Sequence, residues 1–262
     1  MEVPDGVFIC MDDTEAKEAF KNILSSPKSL FGKKNVEVLV QSYLHGTEYI
    51  VNTVSCNGFH YVTDIWEYKK RLINGKPIYD RELLLSSNGS IQSMLIPYVF
   101  NVLDALDIKY GAAHHEVMLT KDGPVLVEVG ARVGGNVVPQ LHSEILHHNQ
   151  AELSIYSYLS PKLFKEYTSK PYTIKKNMMH ILMSTDSAGT IEEIPLANQV
   201  KELQSYKYLL LAVKKGDCLV PTYDLLSKPG DLWLAHKSLK TIERDYLTFI
   251  NDILPSGFLI KK

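Results

Sequence analysis

The spacing of hydrophobic and polar positions changes period several times along the chain. DGVFIC reads as a short strand with nothing ahead of it to pair with. Asp12-Asp13-Thr14 can then cap a helix whose Ala16, Phe20, Ile23 and Leu24 share one side. SPKSLFGKKN is a polar loop. From Val36 the period falls to two. VEVLVQ, TEYIVNTVS and FHYVTDIWEY read as strands, the last two joined through Cys56-Asn57-Gly58, where Asn-Gly signals a hairpin. KKRLINGKPIYDRE follows as a polar stretch. Ile91, Met94, Leu95, Tyr98, Val99, Val102, Leu103 and Leu106 return at helical spacing, and Pro97 within them predicts a kink or a late start. YGAAHHEVML and PVLVEVG are two more strands around Thr120-Lys121-Asp122-Gly123. A Gly-rich turn, GARVGGN, leads into helical segments from about Pro139 to Tyr167. A second strand-rich part begins near Tyr172 with MMHILMS, YLLLAVKKG and DLWLAHKS, and closes in a helix near Leu239–Leu254. The whole is α+β: residues 36–131 should form an antiparallel sheet covered on one side by the helix near 91–106. SPKLFKEYTSKPYT, about residues 160–173, is the natural boundary.

Composition narrows the function classes. A chain of 262 residues with 45% apolar and 22% charged positions is globular, one large domain or two modest ones. A net charge of −2 without a strong basic block argues against nucleic acid as a partner, and no apolar run suits a membrane span. The start lacks a secretory pattern, and Cys10, Cys56 and Cys218 form neither a disulfide framework nor a zinc motif, so a reducing cytoplasm is expected.

The chemistry concentrates around Asp122-Gly123. A three-residue loop, Lys121–Gly123, sets Glu116 directly across the ladder from Glu128. Like charges in that position repel, and a hard divalent ion with oxygen ligands would resolve the repulsion. Leu126 and Met118 share the face and make the surroundings partly apolar. If the strand continues, period two brings Arg132 to the face of Glu128, a cation suited to a phosphoryl group. A two-residue loop would instead pair Val117 with Glu128. The plain alternative is two solvated carboxylates.

Two further segments support this reading. VLVQSYLHGTEY can offer backbone groups to an adenine edge, with Glu48 accepting from ribose hydroxyls; otherwise it is a turn between strands. In DIWEYKK a lysine at a strand end can meet phosphate as a point charge, or simply be solvated. Trp66 is core or groove wall. His114-His115 and His147-His148 are poor metal sites, since neighbours on a strand point to opposite faces, though His114 shares the face of Glu116 and could line a substrate pocket. Met178, Met179 and Met183 fill core gaps.

In that order, QSYLHGTEY, DIWEYKK and YGAAHHEVMLTKDGPVLVEVGARVGG resemble the ATP-grasp superfamily, and within it the carboxylate–amine ligases that include L-amino-acid ligases. The resemblance covers about residues 5–160. It implies an ATP-grasp-like antiparallel sheet with covering helices and a small strand-rich C-terminal domain. It divides the chain into residues 1–30, a remnant of the first ATP-grasp subdomain, 31–170, the C-terminal subdomain, and 171–262. Gln41, Tyr43 and Leu44 would belong to the adenine hinge, Glu48 would bind ribose, and Lys70, rather than Lys69, would reach the phosphates. Glu116 and Glu128 would hold Mg2+, with Mn2+ as an alternative. His114, Arg132, Gly134 and Gly135 would take the substrate, Arg132 acting in catalysis. ATP would phosphorylate a carboxylate, and an amine would attack the acyl-phosphate. Ser42 departs from the acidic hinge residue of many relatives. The resemblance also implies that the family's N-terminal half is missing. On that expectation the chain is the C-terminal portion of a ligase, a non-catalytic remnant that binds ATP and Mg2+, or a half-enzyme needing a partner chain. Binding of Mg-ATP would be weak, and Val7, Ile9 and Tyr43 would promote self-association.

Overall fold

The computed structural model describes residues 2–3, 7–26, 34–73, 76–223 and 225–261. Two short strands, β1 (Glu2–Val3) and β2 (Val7–Phe8), pair with each other, so the strand in DGVFIC does have a partner. Helix α1 (Asp13–Ser25) is capped as expected. The Asp12 carboxylate accepts from the N–H groups of Thr14 and Glu15 at 2.8 and 2.9 Å, and Glu15 in return accepts from Met11 N–H. The SPKSLFGKKN loop lies largely outside the described residues. VEVLVQ is not a strand: residues 34–45 have no regular structure, and Val36, Leu39 and Val40 are exposed. Its alternation is real, but it lines no ladder.

The centre of the molecule is an eight-stranded antiparallel sheet. Its strands are β3 (Thr47–Cys56), β4 (Phe59–Ile73), β5 (Lys76–Leu85), β6 (Gly111–Thr120), β7 (Gly123–Gly130), β8 (Asn177–Leu182), β10 (Tyr206–Leu211) and β12 (Gly230–His236). They lie in the order β10-β12-β8-β5-β4-β3-β6-β7. Asn57 and Gly58, both at positive φ, make the β3–β4 turn that Asn-Gly signals. KKRLINGKPIYDRE is a correction, since it supplies the end of β4 and most of β5.

Helix α2 (Ser90–Ala105) covers one face of the sheet, called here the back face. It starts seven residues before Pro97, so the proline does not delay it. Leu95, Val99 and Leu103 are fully buried, each worth roughly 1.5–3 kcal/mol. Asp104 receives a hydrogen bond from His60, whose other ring nitrogen meets Ser55 Oγ at 2.7 Å. Helices α3 (Pro139–Leu146) and α4 (Gln150–Leu159) lie on the front face. His142 packs on Trp66, and the Gln150 amide donates to the carbonyls of Thr53 and Ala113. Helix α5 (Pro161–Tyr167) follows.

The C-terminal part adds β8, β10 and β12 to the same sheet. A second sheet forms from β9 (Gly189–Glu193), β11 (Cys218–Leu219) and β13 (Leu259–Lys261), none of which the sequence pattern had marked. The short α6 (Leu196–Gln199) and α7 (Leu239–Thr248), which continues as a π-helical and then a 3-10 turn to Ser256, enclose a second core with Met179, Met183, Ile242 and Phe249. Met178, Met179 and Met183 are buried core residues, as expected. No helix of the described residues is long and apolar enough to cross a membrane.

Candidate functional site: one face of the sheet

The front face carries the charged side chains in rows. Registry places Glu82 opposite Tyr68, and Glu48 opposite Met118. The next row holds Trp66, Ile50, Glu116 and Glu128, and the one after it Asp64, Asn52, His114 and Gly130. Successive rows on one face of a strand are about 7 Å apart.

A cavity of about 310 Å³ opens over the first row. It is lined by Tyr43, Leu44, Gly46, Glu48, Tyr68, Lys70 and Met118, among others. Glu48 is 6% exposed. Tyr79 donates to one of its oxygens at 3.0 Å, and Lys70 Nζ lies 2.7 Å from the other. Lys70 also lies over the Tyr79 ring. Burial first, then the charge of Glu82, pushes the Tyr68 phenol far up; burial and Glu48 do the same to Tyr79, so both stay neutral and Tyr79 can donate to Glu48. Lys70 lies inside β4 rather than at a strand end, which corrects the expected position. Lys69 pairs with Glu67, although it too borders the cavity. Gln41 is exposed in the irregular segment and does not line the cavity.

Glu116 and Glu128 are directly opposed, but by a route other than the expected one. The turn has two residues, Lys121-Asp122, with Thr120 opposite Gly123, and Val117 pairs with Leu126. A bulge between Glu116 and Val117 then shifts the register by one and restores the Glu116–Glu128 pair. Glu116 is partly buried and Glu128 exposed. The donor set, two carboxylates on one face, suits a hard divalent cation. No group of three or more His, Cys, Asp or Glu among the described residues is arranged to hold a metal.

Arg132 also reaches the expected face indirectly. β7 stops at Gly130, so strand period cannot place it. The Arg132 side chain instead folds back over Gly130. Its Nε would lie 3.2 Å from a Cβ at that residue, on the side shared with Glu128 and opposite His114. Gly134 is wedged against the site: a Cβ there would come within 2.9–3.1 Å of Asn52, His114 and Asn136. Gly135 meets nothing.

His114 and His115 do point to opposite faces. His115 donates through Nδ1 to Val51 O, and burial lowers its pKa to about 4. His114 belongs to a buried polar chain. Asp64 accepts from Thr63, Trp66 and Asn52, Asn52 accepts from His114 Nδ1–H, and His114 Nε2 is 3.5 Å from Glu116. Sequence reasoning missed Asn52, Asp64, Tyr68, Tyr79 and Glu82. Asn74-Gly75, inside the presumed polar stretch, was the hairpin signal that could have brought Tyr79 and Glu82 onto the sheet.

Residues 3–140 match the family described as the ATP-grasp domain. The chain belongs to the ATP-grasp family. It is 36% identical over 228 residues to dapdiamide A synthase of Enterobacter agglomerans, across 86% of this chain and 53% of that protein. The L-amino acid ligase of Bacillus licheniformis has the same fold, with a TM-score of 0.70 and 22% identity over 84% of this chain and 53% of the other. Phosphoribosylglycinamide synthetase of Anaerococcus prevotii superposes with a TM-score of 0.64 and 14% identity, over 95% of this chain and 61% of that one.

The ATP-grasp fold is therefore α+β, with an antiparallel sheet, covering helices and a smaller strand-rich C-terminal region. These matches overturn the expectation of a C-terminal portion that keeps only α1 of the first subdomain, and with it the reading of a fragment lacking half of the nucleotide clamp. The family match begins at residue 3, and the likeness takes in most of this chain. The chain spans about half the length of the relatives it matches.

Proposed function

We propose that the front face is the site of an ATP-dependent ligase that joins a small carboxylate to an amine. One observation carries this reading. Three successive rows present a cavity with an anionic and a cationic side chain, then two opposed carboxylates, then an arginine beside a histidine. Steps of about 7 Å suit a nucleotide, its bridging cation and an acceptor carboxylate in line. ATP would sit in the cavity, with Tyr43 and Leu44 at the base, the ribose hydroxyls donating to Glu48, and Lys70 turning from Glu48 to phosphate. Gln41 belongs to the hinge by resemblance alone.

Glu116 and Glu128 would hold Mg2+, which neutralises phosphate charge when bound. Arg132, folded over Gly130, would hold the carboxylate and then the acyl-phosphate. His114 and the backbone at Gly134 and Gly135 would close the substrate side. The carboxylate would attack the γ-phosphorus of ATP, releasing ADP and forming an acyl-phosphate, a mixed anhydride activated toward the amine. The amine then forms the C–N bond, inorganic phosphate leaves with the C–O bond pair, and the amine loses a proton. The name of the L-amino acid ligase, whose fold this chain shares, supports amino-acid substrates. The three free thiols agree with a reducing cytoplasm.

ATP-dependent phosphate release by the whole chain with pairs of L-amino acids tests this. Turnover that Glu116→Gln abolishes supports it; Mg-ATP binding unaffected by either Glu116→Gln or Lys70→Ala refutes it.

A further inference from the structure

A second charged cluster lies on the same face, buried on the far side of Tyr68 from Glu48. His180 on β8 is registered opposite Glu82 on one side and Trp233 on the other. Its ring stacks on Trp233, 4.3 Å between centroids and 9° from parallel. Nδ1 is 3.1 Å from Glu82 Oε2, and Nε2 is 2.9 Å from Asp231 Oδ1. An ionised carboxylate only accepts, so both ring nitrogens carry protons. Lys228 completes the balance, its Nζ 2.5 Å from Asp231. The other titratable groups facing the ring's surroundings are Tyr68 beyond Glu82, His142 from α3 and Tyr208 beyond Trp233. Burial presses the His180 pKa down, but Glu82 and Asp231 more than reverse this and carry it up.

Glu82 links the cluster to the rest of the face. Glu82 Oε2 also accepts from the Asn136 amide at 2.7 Å. Asn136 is buried, lies in the turn between β7 and α3 that carries Arg132 and Gly134, and its Oδ1 has no hydrogen-bond partner. The turn's backbone bonds are few and local: Arg132 N–H to Gly130 O, Val137 N–H to Gly134 O, Val138 N–H to His142 Nδ1, and Gly134 N–H to Gln150. Asn136 to Glu82 is thus its tie to the far strands of the sheet.

We propose that His180 is a positioning residue for the 131–138 turn: it fixes Glu82, and Glu82 holds Asn136 and, with it, the turn that presents Arg132 to the front face. His180 touches no substrate in this arrangement. The inference rests on the reading that this turn receives the carboxylate, but its first test does not need that reading.

Ring-nitrogen NMR, with His180 assigned through His180→Gln, reports the protonation state. Hydrogen exchange reports the turn. His180 is expected to keep both ring protons at a pH where a histidine of ordinary pKa has lost one. Exchange at residues 132–137 should rise about tenfold in both His180→Gln and Asn136→Ala, with β6 unchanged in the latter. Because His180→Gln also leaves two buried carboxylates without their cation, Asn136→Ala carries the decision. Exchange there within about twofold of the native protein overturns the proposal, as does a His180 titrating near its ordinary value. In phosphate-release assays, Asn136→Ala should raise KM for the amino acid about tenfold and leave KM for ATP within about twofold. If the native chain releases no phosphate, the ligase reading fails and the exchange result alone judges His180.

Discussion

Two carboxylate clusters sit on one sheet face and solve the same problem in opposite ways. Around the cavity, buried Glu48 is balanced by Lys70, whose side chain is 38% exposed, and by a neutral phenol. Around His180, Glu82, Asp231, the imidazole and Trp233 are all buried; the two carboxylates satisfy both ring nitrogens, and the indole stacks on the ring. An exposed ammonium on a flexible stem can exchange one anion for another; a planar ring clamped between two carboxylates and stacked on an indole cannot. The open cluster is built for a visitor and the closed one for a fixed geometry.

The largest test of this contrast is to empty the closed cluster. His180→Leu strands two buried carboxylates and should cost about 3–5 kcal/mol in urea unfolding. A cost below about 1 kcal/mol would mean that the cluster is wet and that the comparison fails.

The pH dependence separates this ionised histidine from the neutral buried ones. His115 has a folded pKa of about 4 against an ordinary 6.5, so its stabilisation is present above 6.5 and lost as pH falls toward 4, about 3 kcal/mol in all. His142 and His148, also lowered by burial, add to that acid limb. His180 is raised, so its contribution is complete below 6.5 and fades as pH climbs through the folded value. Asp231 is lowered on balance by His180 and Lys228 against its burial, so its share fades only as pH falls below 3.8. Stability measured by urea from about pH 4 to 9 should therefore fall at both ends, with His115→Gln flattening the acid limb and His180→Gln the alkaline one. Identical curves for the two variants would contradict these assignments.

In the open cluster, Lys70→Ala should cost only about 1 kcal/mol, because Tyr79 still donates to Glu48 and water can reach the vacated side. Its effect should appear in calorimetry with Mg-ATP, as a loss of about tenfold or more in affinity. The smallest change is at Gly130. Alanine there should alter stability by less than about 1 kcal/mol yet displace Arg132, and KM for the carboxylate should rise while ATP binding stays constant.

Much of the central sheet was legible in the sequence because TEYIVNTVS and PVLVEVG read as period-two runs bounded by turn residues, although β3 is buried on both faces rather than half-solvated, and Asn57-Gly58 names its turn. The 36–41 segment misled for the same reason: alternation reports a capacity to pair, not a partner. β5 was hidden because its charged residues, Asp80, Arg81 and Glu82, are satisfied by partners distant in sequence. The Glu116–Glu128 pair was foreseen through a loop length that proved wrong, and a bulge no local rule announces brought the two together. His180 stood inside MMHILMS as one polar residue in an apolar run, with nothing nearby to mark Glu82 and Asp231 as its neighbours.

The join between β5 and β8 has a mechanical consequence. It is short, with Arg81, Glu82 and Leu83 opposite Ile181, His180 and Met179, whereas β3 and β6 are paired along nearly their whole length. A shearing load across the sheet would concentrate at this join, whose middle rung is the Glu82–His180 pair. The ring that steadies the turn therefore also sits at the narrowest pairing of the sheet, and under force its failure would part the C-terminal strands from the rest and open the first core, which Met178, Trp233 and Ala235 complete from across the join.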